Sequence, residues 1–67
     1  MSTRFAVWAG DDILLDTFDT FDRAITYACI EIEHPLGWKA LHVGEVTFDD
    51  FGIQRGEDLC LVERRTA

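Results

Sequence analysis

The chain reads as an α+β domain of order β-β-α-β-β, a four-stranded, mainly antiparallel sheet with one helix packed on one face. Three observations predict it. Residues 20–33 carry the apolar spacing of one amphipathic helix. Two apolar runs precede that helix, separated by the turn signal Gly10-Asp11-Asp12. Two more follow it, on either side of a polar stretch containing two glycines. Two hairpins joined through one helix most simply form one sheet with the helix on one face.

Residues 4–9 (R-F-A-V-W-A) are aromatic and apolar and predict the first strand. Gly10 at the first central position of the turn suits a type II′ hairpin. Ile13 to Phe18 is the returning strand. Both runs are apolar on both faces, so periodicity leaves their orientation open. If Phe5, Val7 and Ala9 face the helix, then Arg4, Ala6 and Trp8 face the other side. Trp8 has two readings there, a contact residue on an open sheet face or packing against a neighbouring strand.

In the helix, Phe21, Ala24, Ile25, Ala28 and Ile32 fall on one face, with Cys29 at its border. Thr20 is the predicted N-cap, with Asp19 as competitor, because a short oxygen-bearing side chain can accept an orphan backbone N–H. Asp19 and Asp22 place negative charge at the favoured end of the helix dipole. His34-Pro35-Leu36-Gly37 ends the helix, since the residue before proline is pushed out of the α region. Tyr27 and Ile30 lie off the core stripe. Lone apolar surface residues are ordinary, and that reading is favoured over a contact patch on the outer face.

Residues 38–48 predict the third strand, with a bulge or bend where alternation slips at Gly44. Residues 49–58 predict a polar loop, pinned to the body by Phe51 and Ile53. Residues 59–64 predict the fourth strand, and the last three residues a frayed tail.

Sixty-seven residues make one domain, 1–67, near the lower size limit for an unaided core. A core this small makes a homodimer as open as a monomer. Hydrophobic content of 48% argues against disorder. No charged-then-apolar leader opens the chain, and no run is long enough to span a bilayer. The expectation is a soluble, cytoplasmic protein with reduced thiols.

Catalytic and metal signatures are missing from the sequence. Cys29, His34, His42 and Cys60 fit no zinc spacing, and both cysteines read as small core hydrophobes. His34 reads as a cation near the helix C-terminus. Asp50-Phe51-Gly52 spells a kinase triplet without the other kinase segments. Asp16, Asp19 and Asp22 miss the calcium-loop pattern. No nucleophile–base pair, P-loop or dinucleotide fingerprint occurs. The chain is read as a non-enzyme without cofactors or metals.

Charge carries the functional signal. The formal charge is −7, from thirteen acidic and six basic residues. That argues against direct binding to nucleic acid or anionic membranes, which needs a basic footprint. It suits a basic protein surface. The acids concentrate in two clusters: Asp11, Asp12, Asp16, Asp19 and Asp22, then Asp49, Asp50, Glu57 and Asp58 beside Glu45. Aspartate is favoured in caps and turns for local reasons, so each residue alone is ordinary. A row of carboxylates can occupy an Arg/Lys groove meant for phosphate, since duplex DNA carries about one charge per 1.7 Å of axis. Trp8, Tyr27 or Ile30 would supply an apolar contact that salt does not weaken.

In size, acidity and strand–helix–strand build, the chain resembles the small phage-encoded anti-CRISPR proteins. Residues 17–28, T-F-D-T-F-D-R-A-I-T-Y-A, are an apolar strand end leading into a capped helix of the kind several of them show. That group has no shared signature, so no residue role is carried over. The resemblance implies a stoichiometric inhibitor in the host bacterial cytoplasm. It would bind a CRISPR effector complex and block its DNA-binding groove or a nuclease-recruiting surface. The alternative is a structural module that self-associates through an open sheet face or a strand edge.

Overall fold

The structure is a computed structural model that describes residues 2–10, 13–34 and 37–64. It contains strands β1 (Ser2–Ala9) and β2 (Ile13–Phe18), helix α1 (Phe21–Ile32), then β3 (Ala40–Asp49) and β4 (Gly52–Glu63). The sheet order is β2-β1-β3-β4 and every neighbouring pair is antiparallel. The predicted α+β architecture is therefore the observed one. Among the described residues, no helix is long and apolar enough to cross a membrane.

The helix begins as its local chemistry dictates. Thr20 is extended, at φ −131° and ψ 153°, and its hydroxyl accepts the Arg23 N–H at 3.2 Å. Thr20 is thus the cap, not Asp19. Ala24, Ala28 and Ile32 are buried, and Phe21 and Ile25 pack beside them. These small alanines let the helix lie close over Val7, Ala9, Leu41 and Val43 of the central strands. The start of the predicted helix stop is seen at Glu33, the C-cap; Pro35 and Leu36 lie outside the described residues. Cys29 is exposed and Cys60 half-buried, so the core reading holds for Cys60 and is corrected for Cys29.

Pairing settles the faces of the first hairpin. Val7 and Ala9 join the helix-side core, with Phe5 packed against it, while Ala6 and Trp8 point to the other face. A bulge between Val7 and Trp8 shifts the β1–β2 register. Gly10 has φ +70°, the sign a II′ turn requires; Asp11 and Asp12 lie outside the described residues.

The second hairpin departs from expectation. Residues 49–58 are not a loop. Asp49 pairs with Gly52 across a two-residue turn, and β4 runs from Gly52 onward. The turn has a local cause: Asp49 Oδ1 accepts the Phe51 N–H at 2.8 Å, and Gly52 takes φ +113°. Phe51 is 92% exposed and Ile53 47%, so neither pins anything to the body. Charged residues are tolerated in β4 because it is an edge strand, with a ladder on one side only.

Its alternation is also broken twice. The register passes from Val43–Cys60 to Gly44–Asp58 and then to Val46–Arg55. β4 therefore spends five residue steps where β3 spends three. The predicted irregularity at Gly44 is where this happens. A Cβ on Gly44 would sit 2.4 Å from the Glu57 carbonyl oxygen. The extra β4 residues can bulge there only because position 44 has no side chain.

The second sheet face is not open at Trp8. Ala6, Trp8 and Val46 form a smaller buried cluster, flanked by Leu14 and Phe48. Trp8 is only 7% exposed. Its packing reading is the correct one, and the contact reading is withdrawn.

Candidate partner-binding site

The described acidic residues do not converge on one array. The β1–β2 turn and the start of α1 lie at opposite ends of β2, a span of about 20 Å for six residues. Asp49 and Asp50 sit at the helix-start end of the sheet, because Ser2 pairs with Phe48 and Phe5 with Phe18. Glu57 and Asp58 lie on β4, the opposite edge from β2.

Several of these carboxylates are already engaged. Asp49 builds its turn. Asp58 sits 3.0 Å from His42 Nδ1 and 3.2 Å from Arg55 Nη2. Arg55 also donates to the Gly10 carbonyl at 3.1 Å and lies over the Trp8 ring, 4.8 Å from its centroid. Asp58 thus belongs to the lid over Trp8. His42 faces Asp58. Among the described residues, no group of three or more His, Cys, Asp or Glu could hold a metal ion. His34 lies just past the helix, where its backbone N–H donates to Glu31.

Around the first turns of α1 the picture differs. A shallow groove runs between the helix and the end of β2, lined by Phe18, Asp22, Arg23, Thr26, Tyr27 and Ile30. Its floor is aromatic: the Phe18 and Tyr27 rings stand 5.2 Å apart, tilted by 45°. Ile30 is 65% exposed on its wall, so it belongs to a patch and is not a lone surface residue. Asp22 is exposed in the first helical turn, and Asp16 and Asp19 are exposed beside it in sequence. Asp16 uses one oxygen to accept the Thr17 N–H at 2.8 Å. Asp19 lies 3.5 Å from Arg23. Both ends of that pair are exposed, so it holds Arg23 by no more than about 1 kcal/mol.

The electrostatics of the groove are recorded at Tyr27. Burial pushes its phenol above the usual tyrosine value, and the charges of Glu31 and Asp16 push it the same way. Negative potential therefore reaches the groove floor from two elements. Sequence reasoning placed Asp16, Asp19, Asp22, Tyr27 and Ile30 separately; the β2–α1 junction brings them to one side of the molecule. It missed Phe18 and Glu31. Glu31 had a signal, four residues after Tyr27 on the helix. Phe18 had none beyond its place at the end of β2. No known protein family, curated protein or solved structure matches the chain.

Proposed function

We propose that the protein is a non-catalytic inhibitor that binds a basic, nucleic-acid-binding surface of a partner protein. Its contact region is the groove of Phe18, Tyr27 and Ile30 with Asp16, Asp19 and Asp22 around it. The observation that carries this reading is the meeting of a half-buried aromatic floor and the exposed Ile30 with exposed carboxylates, of which Asp19 pairs only weakly with Arg23. Carboxylates steer a basic partner into place, and desolvated apolar contacts hold it. Asp49 and Asp50, at the same end of the sheet, extend the negative surface. A CRISPR effector complex in a bacterial cytoplasm is the partner that the resemblance in size, acidity and build suggests.

The test is capture from bacterial lysate containing such a complex, repeated with competing duplex DNA and at raised salt. A basic partner that DNA displaces supports the reading. Asp16→Lys with Asp22→Lys then slows association and removes its salt dependence, whereas Ile30→Ala speeds dissociation. A partner retained unchanged by both variants overturns the groove as the contact site.

A further inference from the structure

We propose that the open edge of β4 pairs antiparallel with the same strand of a second copy, in a register centred on Leu61. β4 is the longer of the two edge strands, twelve residues against six for β2. Natural edges are usually blunted by charge, proline or a bulge. Cys60-Leu61-Val62, past the bulge at Leu59, has none of these, and Leu59 and Leu61 are 47% and 48% exposed.

The backbone phase is readable. The Arg64 N–H donates to the Lys39 carbonyl at 2.8 Å. Alternate residues of an antiparallel strand turn their polar groups to opposite sides. Cys60, Val62 and Arg64 therefore address β3, and Leu61 and Glu63 leave their N–H and C=O on the open edge.

Charge then selects the register. A two-fold axis normal to the sheet keeps each face continuous only if it passes through a residue position. Centred on Cys60, it brings the acidic Glu57-Asp58 end of each strand, beyond the bulge at Leu59, level with Glu63 of the other, like charge against like. Centred on Val62, it sets Cys60 opposite Arg64. Centred on Leu61, it sets Cys60 opposite Val62, both on the helix side, and Leu61 opposite itself. It also brings the acidic Glu57-Asp58 end of each strand level with the basic Arg64 end of the other. An open groove between Cys29, Ile32 and Glu33 of the helix end and Val62, Glu63 and Arg64 lies over the helix side of this strand, the face that the paired Cys60 and Val62 share. The groove beside β2 lies at the opposite edge, so a dimer of this kind presents two copies of it.

Sedimentation of the full chain over a concentration series tests this, with Leu61→Lys as the variant. Leu61 is half exposed, so the variant keeps the parent's circular dichroism. It places like charges on the axis and weakens dimerisation about tenfold or more. The register is read by oxidation. With Cys29→Ser and Cys60→Ser in place, Leu61→Cys forms a disulfide-linked dimer, since a directly opposed hydrogen-bonded pair has a Cα separation near 5.5 Å. A chain that stays monomeric at every concentration, or a dimer indifferent to Leu61→Lys, overturns the proposal. A dimer that crosslinks through native Cys60 but not through Leu61→Cys overturns the register.

Discussion

Arg55 reaches from the far edge strand to place its guanidinium 4.8 Å from the centre of the Trp8 ring. β3 lies between their strands, and the same side chain donates to Gly10 at the end of β1. The contact ties both hairpins together across the face away from the helix. The Trp8 Nε1–H has no hydrogen-bond partner among the described residues. The indole is therefore held by packing and by the cation over its face. A cation–π contact of this kind is worth about 0.5–2 kcal/mol.

Arg55→Ala is expected to lower unfolding stability by about 1–2 kcal/mol, combining that contact with the loss of its hydrogen bonds. Trp8→Ala is expected to cost about 3–5 kcal/mol. A chain of 67 residues has only about 3–10 kcal/mol in total, so Trp8→Ala should remove a large share of it. Urea titration checks both. In a Trp38→Phe background, Arg55→Ala should also open Trp8 to iodide quenching. Unchanged quenching would mean that other groups cover the ring.

The double bulge gives a sharper prediction. The Gly44 Cβ position is 2.4 Å from a backbone oxygen and 2.9 Å from the Asp58 Cα, neither the end of a flexible side chain. Gly44→Ala must push β3 and β4 apart, at about 1–3 kcal/mol. Asp58 and Arg55 would move with β4, so Asp58 should draw away from His42 and Arg55 from the Trp8 ring. Denaturation and the chemical shifts of His42 would report the two effects. A neutral Gly44→Ala would show that the bulge does not need the close approach.

What was legible follows from how local the cause was. The helix could be read because Phe21, Ala24, Ile25, Ala28 and Ile32 repeat on one face and Thr20 sits at its start. Gly44 could be read because one glycine broke an alternating run. The first half of β4 could not. Gln54, Arg55, Glu57 and Asp58 look like loop residues, and two bulges remove the alternation that would have betrayed a strand. The burial of Trp8 was hidden for a similar reason, since its cover comes from Arg55, distant in sequence. On the candidate groove, Asp22, Tyr27 and Ile30 share a helix and were within reach; Phe18 and Asp16 join them only through the β2–α1 junction.

Helix α1 depends on its cap. Thr20 satisfies the Arg23 N–H at the surface, with no second side chain in that role among the described residues. Thr20→Ala should cost about 1 kcal/mol, while Thr20→Ser or Thr20→Asp should restore most of it. The groove is built on this first turn, through Asp22 and Arg23. Thr20→Ala should therefore also raise amide exchange in residues 21–24 ahead of the rest of the helix. Uniform exchange along α1 would place the helix's stability elsewhere.

Tyr27 is the chain's one tyrosine, so its near-ultraviolet absorbance reports its ionisation directly. Its pKa is raised, first by burial, then by Glu31 and Asp16. The folded protein thus holds the phenol proton to higher pH than the unfolded chain does. The associated stability is complete below the unfolded tyrosine pKa and is lost as pH rises through the folded one. Tyr27→Phe should flatten that alkaline fall. Glu31→Gln with Asp16→Asn should lower the titration midpoint without returning it to the usual value, because burial is the larger cause. A midpoint at the usual value in the parent would remove the negative field from the groove floor. A basic partner seated on the groove acts on both causes. Its cations favour the tyrosinate while its bulk buries the phenol further, so a complex formed through Asp16, Asp22 and Tyr27 should move the midpoint away from that of the free chain. A partner that binds elsewhere should leave the midpoint where it was.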